Sequence, residues 1–148
     1  HSLKHRAARV YFSGVSGAPG DGNTALAQAF AASFRDGADT IQNSAENADF
    51  TVTCTVRITD GPAGTTGHPQ QHIEIVWRVQ DKAGKEAGAA TQLHDIAAHS
   101  LDGYWGDVAV AAAQEAAGGV RQIIRRYSGR DNTPLPTAGK PPAATPPA

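Results

Sequence analysis

The run DFTVTCTVRITDG, residues 49–61, decides the fold. Phe50, Val52, Cys54, Val56 and Ile58 fall on one side of it, and Thr51, Thr53, Thr55 and Arg57 on the other. Successive side chains of a strand point to opposite faces, so strict alternation predicts a strand with one face buried and one wet. Beyond a loop of Gly, Pro and Thr (Gly61–Gln71), Ile73, Ile75, Trp77 and Val79 alternate against Glu74, Val76, Arg78 and Gln80. The turn DKAGKE, residues 81–86, leads into a weaker strand from Ala87 to about Ile96. Three such runs in succession predict an antiparallel meander with one apolar face.

Upstream, Val10, Phe12 and Val15 lie in a short run of strand formers followed by Gly-rich turn chemistry. A helix is expected from about Asn23 to Arg35, with Leu26, Ala29, Phe30, Ser33 and Phe34 at helical spacing. Asn23 or Asp21 can cap it, and Asp36-Gly37 ends it. The segment DTIQNS (39–44) reads as a short strand. Downstream, a long helix is expected over roughly Tyr104–Tyr127. Trp105, Val108, Ala112, Ala116, Val120, Ile123, Ile124 and Tyr127 lie on or near one stripe. Much of that stripe is Ala and Gly, which lets a helix lie close on a sheet. The order β-α-β-β-β-β-α predicts an α+β fold, with two helices on one face of a four- to five-stranded, mostly antiparallel sheet.

A chain of 148 residues with 40% hydrophobic content suits one compact domain. We place it at residues 7–130, between a disordered segment at 1–6 and a Pro-rich tail at 131–148 that holds six of the nine prolines. A net charge of -1 and a pI of about 6.6 give no sign of a phosphate-coating nucleic-acid binder. No apolar stretch approaches the roughly 18 residues that span a bilayer. One cysteine allows no internal disulfide. Met is absent and the chain begins at His1, as expected of a trimmed or mature fragment.

Several chemistries can be weighed residue by residue. GAPGDGNT (17–24) places Gly17, Gly22 and Thr24 in register with a phosphate-binding loop, but Asn23 stands where the lysine belongs. Asp21 adds negative charge where phosphate would sit, so the expected reading is a strand-to-helix turn. His68 and His72 have i,i+4 spacing, yet Gly67 and Pro69 argue for a loop. His94 and His99 miss that spacing. Cys54 is expected in the core. FSGVSGA lacks the spacing of a nucleophile elbow, and no pair of acidic residues demands acid–base work. No cofactor and no catalytic set is expected.

Two surface features remain. Arg121, Arg125, Arg126 and Arg130 crowd the end of the last helix, where cations favour the negative helix terminus; an anionic partner is the other reading. SLDGYWGD (100–107) puts two aromatics beside glycines, with Trp105 expected in the core and Tyr104 exposed. The candidate interaction surface is therefore Asp21, Asn23, Asp102, Tyr104, Trp105, Arg125 and Arg126.

The stretch ALAQAFAASFRDGADTIQNSAENADFTVTCTVRI (25–58) resembles the core of a group of bacterial envelope proteins. That core has a helix of the form A-L-x-x-A-x-x-x-x-F, a short strand, an A-D-F/Y opening to a long alternating strand (here Ala48-Asp49-Phe50), a D-x-x-G-x-E turn (Asp81 to Glu86) and a closing Ala-rich helix ending in Arg. The group includes the curli-secretion lipoprotein, the lipoprotein activators of penicillin-binding proteins and the amino-terminal domain of the Tol translocation protein. The chain is also similar to uncharacterised alphaproteobacterial lipoproteins that share GAPGDGN and SLDG-x-WGD. The resemblance covers about residues 9–127 and carries over no binding residue. It implies a periplasmic, non-catalytic domain that interacts with envelope proteins or cell-wall components. Membrane contact, at the outer membrane, would come only through a lipid anchor outside this sequence. The alternative is a small-ligand or transition-metal binder using His68, His72, His94 and His99.

Overall fold

The computed structural model describes residues 7–35, 40–61 and 69–129. The expectations for residues 1–6, the Asp36-Gly37 helix stop, His68, Arg130 and the tail at 131–148 lie outside these. The elements are β1 (Arg9–Ser16), α1 (Gly22–Arg35), β2 (Thr40–Gln42), β3 (Phe50–Asp60), β4 (Gln70–Asp81), β5 (Glu86–Ala97) and α2 (Gly106–Tyr127). They form the expected α+β domain: one five-stranded sheet, ordered β2-β1-β3-β4-β5, with both helices packed on it.

The alternation of residues 50–58 does what its pattern requires. Phe50, Val52, Cys54 and Val56 are buried, and the last three lie opposite Val79, Trp77 and Ile75 in the antiparallel β3–β4 ladder. Burial pushes the Cys54 thiol up to about 12, so it stays neutral and packs as a small apolar group. The sheet is mixed, because β1 lies parallel to both β2 and β3. From α1, Leu26, Phe30 and Phe34 enter the core at helical spacing, and the Phe30 ring lies 4.8 Å from Phe12 and 5.0 Å from Trp77.

The helix α2 is rotated from the expected stripe. Its buried residues are Ala109, Ala113, Ala116, Ala117, Val120, Ile123 and Ile124, while Val108 and Tyr127 are about half exposed. Small residues set the contact with β5: a Cβ on Gly88 would meet Ile123, and one on Gly119 would meet Ala90. Gln92 bridges the layers. Its Oε1 accepts from Trp77 Nε1 at 2.8 Å, and its Nε2 donates to the Ala112 carbonyl at 3.0 Å and to Glu115 at 2.9 Å. Each polar atom of that buried amide is thereby satisfied.

Ala48-Asp49-Phe50 has a structural purpose. Asp49 is 5% exposed, and its Oδ2 accepts from the Arg9 backbone N–H at 2.8 Å while its own N–H donates to the Arg9 carbonyl at 2.7 Å. The aspartate thus pins the start of β1 to the start of β3, and its charge lies 3.7 Å from Arg9 Nε and 3.9 Å from Lys82 Nζ.

At the C-terminal end of α2, the Tyr127 hydroxyl donates to Asp81 Oδ2. The other oxygen, Oδ1, accepts from the backbone N–H groups of Ala83 and Lys85 in the β4–β5 turn. The Tyr127 bond holds the Asp81 carboxyl below its ordinary 3.8, and the carboxylate in turn raises Tyr127 above 10.0. A depressed acid gives stability that is present above its ordinary value and lost as pH falls through its folded value. A raised phenol gives stability that is present below its ordinary value and lost as pH rises through its folded value. Urea midpoints should therefore be flat near neutrality and fall below about 4 and above about 10, with Tyr127→Phe weakening the contribution at both limits. Equal pH profiles for the two proteins would contradict this latch.

Candidate functional site

The directions of β1 and β5 bring the two candidate loops together. β3 is parallel to β1, β4 reverses, and β5 reverses again, so β1 and β5 end at the same edge of the sheet. The turn after β1 and the loop after β5 both lead into helices there. Asp21 N–H donates to the Gly103 carbonyl at 2.9 Å, and Asp21 Oδ1 accepts from Trp105 N–H at 2.9 Å. The Trp105 indole donates to the Pro19 carbonyl at 3.1 Å and the Leu101 carbonyl at 3.0 Å.

The turn is therefore built for close backbone contact with the loop after β5. Gly20 has φ +58, and a Cβ there would press on the Asp102 and Gly103 backbone; one on Gly22 would enter the Trp105 ring. Asn23 Oδ1 accepts from Ala18 N–H at 3.0 Å and so reaches back to brace the turn. Asp21 contributes only its carbonyl to the start of α1, accepting from Ala25 N–H at 2.9 Å. Its side chain serves the other loop, a correction to the expected side-chain cap.

Of the seven surface candidates, five cluster here. Asp21, Asn23 and Asp102 are exposed and Tyr104 is 83% exposed, whereas Trp105 is 2% exposed and takes the core role. Arg125 and Arg126 lie in the last turn of α2, roughly 28 Å along the axis from its first residue at 1.5 Å per residue, so they form no common surface with the rest. Beside Tyr104, between the first turns of the two helices, an open groove of about 390 Å³ is lined by Asp21, Thr24, Gln28, Tyr104 and Val110. Val108 and Val110, 47% and 44% exposed, add apolar area; the expected stripe had placed Val108 on the buried side and did not include Val110. The buried Ala109 and Ala113 lie one position past the expected Val108 and Ala112, which turns Val108 outward.

The histidines separate. His72 Nδ1 lies 2.5 Å from Asp95 Oδ1, and His99 Nδ1 lies 2.8 Å from Asp102 Oδ2. His99, at φ +65, belongs to the turn after β5. Among the described residues no group of three or more His, Cys, Asp or Glu side chains is placed to hold a metal ion. No described helix is long and apolar enough to cross a membrane.

Several solved structures are similar in fold to this chain. One is protein XCC0632 from Xanthomonas campestris, of the DUF330 family, at TM-score 0.56 and 12% identity, covering 85% of this chain and 90% of that one. Another is the hypothetical protein CT253 from Chlamydia trachomatis, at TM-score 0.51 and 10% identity, covering 84% and 97%. A PelC dodecamer from Paraburkholderia phytofirmans gives TM-score 0.50 and 17% identity, covering 78% and 87%. These likenesses show a shared fold. No protein-family model matches the sequence, and no curated protein matches it.

Proposed function

We propose that this chain is a non-catalytic domain of the bacterial envelope, of the group that holds the curli-secretion lipoprotein and the penicillin-binding-protein activators. On this reading it works in the periplasm and docks an envelope protein or a cell-wall component. The observation that carries the reading is the interlocked pair of loops: five hydrogen bonds through Asp21, Asn23 and Trp105 brace Tyr104 in a solvent-facing position beside a groove. A braced aromatic costs little entropy on binding, which is why tyrosines anchor interfaces. The fold serves assembly in at least one protein, since PelC from Paraburkholderia phytofirmans is a dodecamer.

A photo-crosslinking amino acid at position 104, in cells expressing the full gene product, is expected to give a discrete adduct. The same group at position 53, on the far face of the sheet, is expected to give none. Co-sedimentation of the purified domain with isolated cell-wall sacculi separates the two partner classes, and Tyr104→Ala should abolish any co-sedimentation seen. No adduct at 104 together with no co-sedimentation would reject the reading.

A further inference from the structure

The sheet ends on one side in β2, three residues long, and on the other in β5, twelve residues long. Beyond the end of β5, Ala98 N–H donates to the Pro69 carbonyl, which continues the β4–β5 register of Gln70 with Ala97. Paired groups alternate along an antiparallel ladder, so the even-numbered residues from 88 to 96 bond to β4. Ala89, Thr91, Leu93 and Asp95 then point N–H and C=O away from the sheet. Among the described residues, no element other than β4 bonds the backbone of residues 87–96. Sheet edges are usually blunted by proline, lysine, central bulges or a covering segment. Glu86–Ala97 contains neither proline nor lysine, and its irregularity lies at the Val79/Gln80 end, clear of the four outward residues.

We propose that β5 pairs antiparallel with β5 of a second copy about a two-fold axis through Ala90, joining two sheets into one of ten strands. The edge is complementary to itself in that register. Ala89 and Thr91 of one copy exchange backbone bonds with Thr91 and Ala89 of the other, and Leu93, 67% exposed, comes to lie opposite Ala87. The Lys85–Glu86 end of each strand meets the His94–Asp95 end of its neighbour, so unlike charges face each other and like charges do not, the favourable arrangement for cross-strand pairs. The neighbouring flank of α2 leaves room: Gly119 packs on Ala90 at the centre, and a Cβ on Gly118 would meet nothing within 4 Å. An isologous contact of this kind closes on itself as a dimer. The surface is separate from the Tyr104 loops, so Tyr104→Ala leaves it intact.

Sedimentation velocity of the full chain is expected to show a concentration-dependent species of twice 15.3 kDa. Leu93→Lys, a charge on an exposed edge position, is expected to return it to monomer with unchanged circular dichroism and melting temperature. Thr91→Pro, which removes an outward N–H only, should do the same. Register is read by mixing Ala89→Cys with Thr91→Cys: the mixture should form an intermolecular disulfide faster than either variant alone. A single 15.3 kDa species at millimolar concentration would overturn the proposal. So would an assembly untouched by Leu93→Lys and Thr91→Pro, or a dimer in which the mixture shows no advantage.

Discussion

Trp105→Ala is expected to destabilise the domain by about 3–5 kcal/mol, the range for removing a large buried aromatic. Trp105 is 2% exposed, and it is the keystone between the two loops as well as part of the core. Truncation leaves a cavity under Gly22 and strands the Pro19 and Leu101 carbonyls that its indole now satisfies. Trp105→Phe separates these contributions, since it keeps most of the bulk and loses the two hydrogen bonds, at a cost of about 1–3 kcal/mol. Urea denaturation of the three proteins measures both. Hydrogen exchange adds a local readout, because Asp21 N–H, bonded to Gly103, should lose protection in the alanine variant before the rest of the sheet does. A Trp105→Ala protein within about 1 kcal/mol of the parent would mean that the loops hold each other without the indole.

Phe30→Ala is expected to cost a similar 3–5 kcal/mol, but through a different part of the molecule. Phe30 is fully buried and is the point where α1 meets the sheet. Its ring centroid lies 4.8 Å from Phe12, 5.4 Å from Phe34 and 5.0 Å from Trp77. These centroid separations fall in the range where aromatic pairs contribute about 0.5–1.5 kcal/mol beyond their buried area. The neighbours are themselves large and held on three different elements, so they cannot collapse into the space. Phe30→Leu keeps much of the volume and should cost roughly a third as much. Melting temperatures of the two variants provide the check. Equal losses for Leu and Ala would show that ring contacts, and not volume, dominate at this position.

The fold was legible where side chains differ sharply in polarity. Phe50 to Ile58 alternate between large apolar groups and Thr or Arg, so period and face follow at once. Leu26, Phe30 and Phe34 likewise fix the phase of α1. The phase of the first half of α2 was not legible, because its buried face there is alanine (Ala109, Ala113, Ala116, Ala117), while the exposed Val108 and Val110 are more hydrophobic. A stripe written in alanine and glycine is set by how closely a helix can approach a sheet, which hydrophobicity does not report. The site was half legible. SLDGYWGD and GAPGDGN could each be singled out, and Tyr104 could be separated from Trp105. That Asp21 would spend its carboxylate on Trp105 N–H, 84 residues away, depended on strand direction across the whole sheet. Asn23 and Asp21 are good capping residues by local rules, but Asn23 turns back to Ala18 within its own turn and Asp21 is taken by the tertiary contact with Trp105.

The position of β1 has a kinetic consequence. The β4–β5 hairpin closes over a bond from Asp81 N–H to the Lys85 carbonyl, whereas the parallel β1–β3 ladder begins by joining Val10 to Phe50, forty residues on. Three doublings of loop length separate those closures, an entropy difference of about 2 kcal/mol. The meander of β3, β4 and β5 can therefore assemble from near neighbours, while β1 has to be captured across a long intervening segment. Lying between β2 and β3, β1 is therefore expected to pair after the meander has formed and to be lost early when the domain unfolds.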